Sequence, residues 1–208
     1  YRISGTDQLS VVTVVNLANA TAAAAAAGTG GTGNGLQVAV QTDPSSGSVS
    51  LLSGSTVAYD MCGIGGSNCS IGVGTPSTER LLLLRREALE LALYTFKYIP
   101  GTQNVVAILP PGHTTLTCTG ICQKPNERTT TQPVDIAVLF IKGELQPWLS
   151  TPVINTLPEQ FPPTVDQIGS APEAPLVDQI TARGLFSEHM ETAQDGSNLV
   201  VLQPLPPQ

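Results

Sequence analysis

The most regular alternation of apolar and polar positions runs from Ser77 to Ile99. Glu79, Arg86, Glu90 and Lys97 recur at helical spacing as one polar stripe, with Arg86 and Glu90 four residues apart, and leucine, alanine and phenylalanine fill nearly all the remaining circumference. Ser77 or Thr78 can cap the first turn, Glu79 sets an anion at the positive end of the helix dipole, and Pro100-Gly101 stops the run. So wide an apolar arc predicts a central helix lying across a sheet.

Around that helix the pattern changes to short strands. Leu36 to Thr42 alternates as a strand with one buried face, Asp43 to Gly47 is turn chemistry, and Ser48 to Leu52 and Thr56 to Met61 follow, which predicts a three-stranded meander. Asn104 to Leu109 and the nearly unbroken apolar run Val134 to Ile141 predict two more strands, the second an interior one, with a polar excursion from Pro110 to Pro133 between them. Gly143 to Leu157 reads as a short amphipathic helix interrupted at Pro147 and Pro152, and Pro158 to Pro175 as a proline-rich crossing. A second helix is predicted from Leu176 to Thr192, then a turn at Asp195-Gly-Ser and a last strand, Asn198 to Gln203. Leu9 to Val15, rich in β-branched residues, suits either a strand or the end of an anchoring segment.

The expected fold class is therefore α+β: a single mixed or antiparallel sheet of about six strands, with a long helix and one or two shorter helices packed on one face. The expected organisation is an N-terminal segment and Ala/Gly-rich linker over 1–35, a globular domain over 36–203 and a proline-rich tail over 204–208.

Charge narrows the partners. A formal net charge of -7 repels phosphate backbones, which argues against nucleic acid. Beyond Lys142 the carboxylates Glu144, Glu159, Asp166, Glu173, Asp178, Glu188, Glu191 and Asp195 face the single cation Arg183; they are scattered, unlike a calcium loop, and read as a solvated acidic face. No stretch reaches the ~20 apolar residues of a membrane span, because Ser10, Thr13, Asn16, Asn19 and Thr21 interrupt the nearest candidate. The chain begins at Tyr1, not Met, so a signal peptide or anchoring helix upstream is one expectation and a fragment the other.

Cys62, Cys69, Cys118 and Cys122 form two close pairs, C-x6-C and C-x3-C. Disulfides within each pair, and hence an oxidising compartment, are the first expectation. Free thiols and a four-thiolate zinc site remain the alternatives, the latter against the usual C-x2-C spacing. A redox C-x-x-C is absent from the sequence.

Other constellations point to structure more than to chemistry. Gly28, Gly30 and Gly33 satisfy G-x-G-x-x-G but lie between polyalanine and a strand, where a dinucleotide site needs a strand and then a helix. His113 sits in a Pro-Pro-Gly-His turn and His189 in the second predicted helix beside Glu188 and Glu191, which suits surface histidines. Glu87 and Glu90 beside Arg86 read as a surface charge cluster, not a glycosidase pair, and Trp148 as a packing anchor. Asn19-Ala-Thr21 and Asn68-Cys-Ser70 match the glycosylation sequon, and no G-x-S-x-G elbow is present. No catalytic residue, metal ligand or cofactor is assigned.

The helix sequence Glu79 to Tyr98, with Leu109-Pro-Pro111, Val138-Leu-Phe140 and Asn155-Thr-Leu-Pro158, resembles uncharacterised membrane-anchored extracytoplasmic proteins of high-GC Gram-positive bacteria. The resemblance spans roughly Leu36 to the C-terminus and implies an envelope location with an N-terminal membrane helix; it implies no activity. The resulting expectation is a non-enzymatic extracytoplasmic domain, an accessory or structural subunit of a cell-envelope assembly, which has protein partners and meets the membrane only through that anchor. The alternatives are an envelope hydrolase and a small-ligand or sensor module.

Overall fold

In the computed structural model, residues 36–42, 48–61, 77–110, 135–159, 161–193 and 196–205 are described with their side chains, and residues 2–4, 7–8, 13–17, 111–118 and 129–134 as strand backbone. Helix α1, Thr78–Tyr98, forms where the apolar arc requires it. Ser77 is the cap: its backbone is extended and its hydroxyl accepts the Arg80 N–H at 3.0 Å, an arrangement that contributes about 1 kcal/mol. At the other end the Ile99 N–H still donates to the Thr95 carbonyl, and Gly101, at φ 84, turns the chain into the next strand through a conformation that favours glycine.

Two short strands, β1 (Arg2–Ser4) and β2 (Asp7–Gln8), pair with each other. Eight others make one sheet: β3 (Thr13–Leu17), β4 (Gln37–Gln41), β5 (Val49–Leu51), β6 (Thr56–Asp60), β7 (Asn104–Cys118), β8 (Thr129–Ile141), β9 (Leu185–Thr192) and β10 (Asn198–Pro204), in the order β3-β6-β7-β8-β9-β10-β4-β5. β6 and β7 are parallel with α1 as their crossover, β4 and β10 are also parallel, and the remaining neighbours are antiparallel. The fold is thus α+β with one mixed sheet, as the pattern of elements leads one to expect.

The meander does not form. β5 pairs with β4, but β6 leaves them for an interior place between β3 and β7. Burial supplies the reason: β6 is buried along most of its length and needs a neighbour on each side, whereas β5 is exposed at every residue and suits an edge. The second predicted helix is also cut short. α5, Ala174–Thr181, gives way to a 3-10 turn at Ala182–Gly184, and the chain continues as β9 between β8 and β10. Gly184 permits this, because a Cβ there would overlap the backbone carbonyl of Leu139; only glycine lets the chain pass so close to β8.

Strand alternation gives the sheet two apolar faces. Val105, Ala107 and Leu109 of β7 and Ile136, Val138 and Phe140 of β8 meet Leu84, Leu89 and Leu93 of α1. The short helices α2 (Gln146–Leu149), α3 (Val153–Thr156) and α4 (Val165–Ile168), with α5, add Trp148, Val153, Val165 and Val177 to the same core. The opposite face carries a second cluster, including Ala58, Val106, Ile108, Ala137, Val200 and Leu202. None of the described helices is long and apolar enough to cross a membrane.

The predicted excursion between Pro110 and Pro133 is largely strand. Among the described strands, β7 and β8 continue past their neighbours as a two-stranded arm, paired from His113↔Val134 to Cys118↔Thr129, after a register slip between Leu109 and His113. Pro110 and Pro111 sit at the slip and lack the N–H groups a regular ladder needs. Beyond it Thr114, Thr115, Thr117 and Thr129 to Thr131 are β-branched and favour extended backbone.

Candidate functional site

Among the described residues, charged side chains other than Arg80 are withdrawn from water in two places. The first is the side of α1 that faces α5 and the proline-rich crossing. Arg86, 1% exposed, donates from Nε to Glu173 Oε1 at 2.9 Å, from Nη1 to Glu90 Oε2 at 3.2 Å and from Nη2 to the Glu159 carbonyl at 2.9 Å. Arg85 donates to Thr181 Oγ1 at 2.6 Å and to the carboxylate and carbonyl of Asp178 at 2.8 and 3.0 Å. Both arginines therefore tie α1 to the chain that crosses it, and the bonds they make are structural.

This overturns the reading of Glu87 and Glu90 with Arg86 as a surface charge cluster. Arg86 and Glu87 are buried, and only Glu90 is partly exposed, because the crossing segment and α5 cover that side and bring Glu173 with them. Glu173 and Glu188 likewise depart from the solvated acidic face expected beyond Lys142, since both are buried. Glu87 Oε2 has no hydrogen-bond partner, and burial above all, reinforced by Glu90 and opposed by Arg86, pushes the Glu87 carboxyl up to about 7.

The second place is the sheet face opposite the helices. Glu188 pairs in register with Leu202 and lies two residues beyond Phe186, both of that face; Asp135 is two before Ala137, and Asp60 two after Ala58. Strand alternation brings all three carboxyls to one side. The β8–β9 ladder ends at Ile136↔Ser187, so Asp135 and Glu188 are the next residues beyond its last pair, at the same end of the two strands. Burial pushes Glu188 up to about 7, with Asp135 and then Asp60 adding to the shift, and burial also raises Asp135. Glu188 Oε2 makes no hydrogen bond; leaving such an acceptor unmet typically costs about 1–3 kcal/mol.

Asp135 and Glu188 are therefore neighbouring carboxyls on one sheet face, one exposed and one buried, beside apolar residues. Such a pair can hold a proton near neutral pH or accept a positively charged donor. Among the described residues no group of three or more His, Cys, Asp or Glu side chains is arranged to hold a metal ion. Neither Asp60 nor Asp135 belongs to a catalytic motif of the sequence. The signal available was a single charge set inside or beside an apolar strand, as in Val134-Asp135-Ile136.

The residues noted in sequence fall apart in space. His189 lies on β9, not on a helix, and its Nε2 meets Glu191 Oε1 at 2.8 Å, with both side chains partly exposed. In a strand positions 189 and 191 share a face and Glu188 takes the other, so no acid–base trio assembles. Trp148 is half-buried on α2 against the helix-side core, which fits an anchor. Cys118 ends β7 opposite Thr129; its side chain, and Cys62, Cys69 and Cys122, lie outside the described residues, and so do Gly28, Gly30, Gly33, Asn19, Asn68 and the His113 side chain. Set beside known proteins, the chain matches no family model, no curated sequence and no solved structure.

Proposed function

We propose that this chain is a non-enzymatic, extracytoplasmic interaction domain, an accessory or structural subunit of a cell-envelope assembly, and that the β7–β8 arm is its contact element. The arm carries the reading. β6 follows β7 only from Asn104 to Ile108 and β9 follows β8 only from Ile136 to Val138, so among the described strands the six outer pairs, from His113↔Val134 to Cys118↔Thr129, have no neighbour on either edge. At ~3.4 Å per residue the free ribbon is about 20 Å long. Open edges offer unpaired N–H and C=O groups to any extended chain, and a two-stranded ribbon alone is marginal in water. A partner strand added to the arm would satisfy both demands.

Disulfides within Cys62/Cys69 and within Cys118/Cys122, and the membrane anchor that the resemblance implies, belong to the same proposal. The test uses the native mass of the full chain extracted from its own cells, beside a variant in which residues 112–133 are replaced by Asn-Gly. The full chain should migrate well above monomer mass, and the shortened variant as a monomer with an unchanged unfolding transition. A monomeric full chain, or a shortened variant that stays in the complex, overturns the proposal.

A further inference from the structure

We propose that Asp135 and Glu188 form a binding site for an organic cation, an ammonium or guanidinium group carried either by a small amine or by a lysine or arginine of a partner. The site stands on the sheet face and not on the arm, so it does not depend on the arm's role.

Three observations point to this ligand. Glu188 is 8% exposed, yet its Oε2 accepts no hydrogen bond, so a buried acceptor remains unmet. The charges acting on it, those of Asp135 and Asp60, are both negative. Apolar neighbours such as Phe186 and Leu202 keep the surroundings poorly solvated, which strengthens any attraction to a cation placed there. Asp135, just beyond the last β8–β9 pair as Glu188 is, is exposed and supplies the way in.

The chemistry selects the kind of cation. A proton can neutralise Glu188, but a cation bearing N–H groups meets the charge and the empty acceptor together and can bridge to Asp135. A hard metal ion is poorly served, since calcium takes about 6–8 oxygens and no metal-holding group of three is present among the described residues. Proton and cation compete for the same carboxylate. With Glu188 at about 7, roughly one tenth of it is ionised at pH 6, so binding should weaken about tenfold between pH 8 and pH 6.

The probes are n-butylammonium and n-butylguanidinium, titrated into the full chain at fixed ionic strength, with the side-chain carboxyl 13C shifts of Glu188 and Asp135 as the readout. Saturable shifts are expected, weaker at pH 6 than at pH 8, absent with tetramethylammonium, and lost in Glu188→Gln and in Asp135→Asn. Glu87→Gln, which alters the other buried carboxyl, should bind as the wild type does. Drift without saturation, loss of binding in Glu87→Gln as well, or saturation by calcium in place of the amines would each overturn the site. The source of the cation is read separately from the protein's native complex. If saturating butylammonium releases a partner, the cation is that partner's side chain; if binding saturates and the native mass does not change, it is a free amine.

Discussion

Replacing Glu188 by glutamine removes an ionisable group while keeping its volume, and its effect on stability follows from where the proton sits. The carboxyl moves from 4.5 in the unfolded chain to about 7 in the fold. At ~1.4 kcal/mol for each tenfold change in proton affinity, that difference is on the order of 3 kcal/mol. Because the folded form holds the proton more tightly, the native state has its full stability below pH 4.5, loses it progressively as pH rises towards 7, and has lost it above. Glu87, also raised to about 7, acts in the same direction. Urea unfolding between pH 4.5 and 8 should therefore show the wild type weakening by several kcal/mol from these two groups, and Glu188→Gln weakening by about half as much. At pH 8 the variant should be the more stable protein, by up to about 3 kcal/mol, and at pH 4.5 the two should nearly coincide. Parallel curves, or a variant less stable than wild type at pH 8, would refute the burial argument.

Two further substitutions probe the fold. Glu173→Ala leaves Arg86 buried without its closest anion, so it should cost about 3–5 kcal/mol in urea unfolding, while Arg86→Met with Glu173→Leu should recover most of that loss. Gly184→Ala drives a methyl into the Leu139 carbonyl and should cost at least ~2 kcal/mol, a Tm fall of about 5 °C or more. Gly143→Ala, which meets nothing within 4 Å, should leave Tm almost unchanged and serves as the control.

Local features were the legible ones. The Ser77 cap, the apolar arc of α1 and the stop at Pro100-Gly101 act within one helix, so they can be read from consecutive residues. The same holds for β4, β5, β7 near the sheet, β8 near the sheet and β10, whose alternation or β-branched content is local. β9 was not legible: Leu185 to Thr192 offers only moderate alternation, and the pairing with β8 and β10 outweighs the helical preference of its Leu, Glu and Met residues. In sequence the arm looks like a polar excursion because its prolines and cysteines mask a run of threonines that extend once β7 and β8 lie together.

By itself the sequence determined what depends on neighbours a few residues apart: the class of the fold, the long helix and its caps, and the acidic, weakly charged character of the chain. Tertiary structure decided which strand lies beside which, because an apolar strand records that it is buried and not what buries it; hence β6 left β5 for β3 and β7. It decided the fate of the charges for the same reason. Polarity in sequence does not distinguish a solvated carboxylate from one that a distant segment covers, and only the packing of α5 on α1 and of β9 on β8 withdrew Glu173 and Glu188 from water.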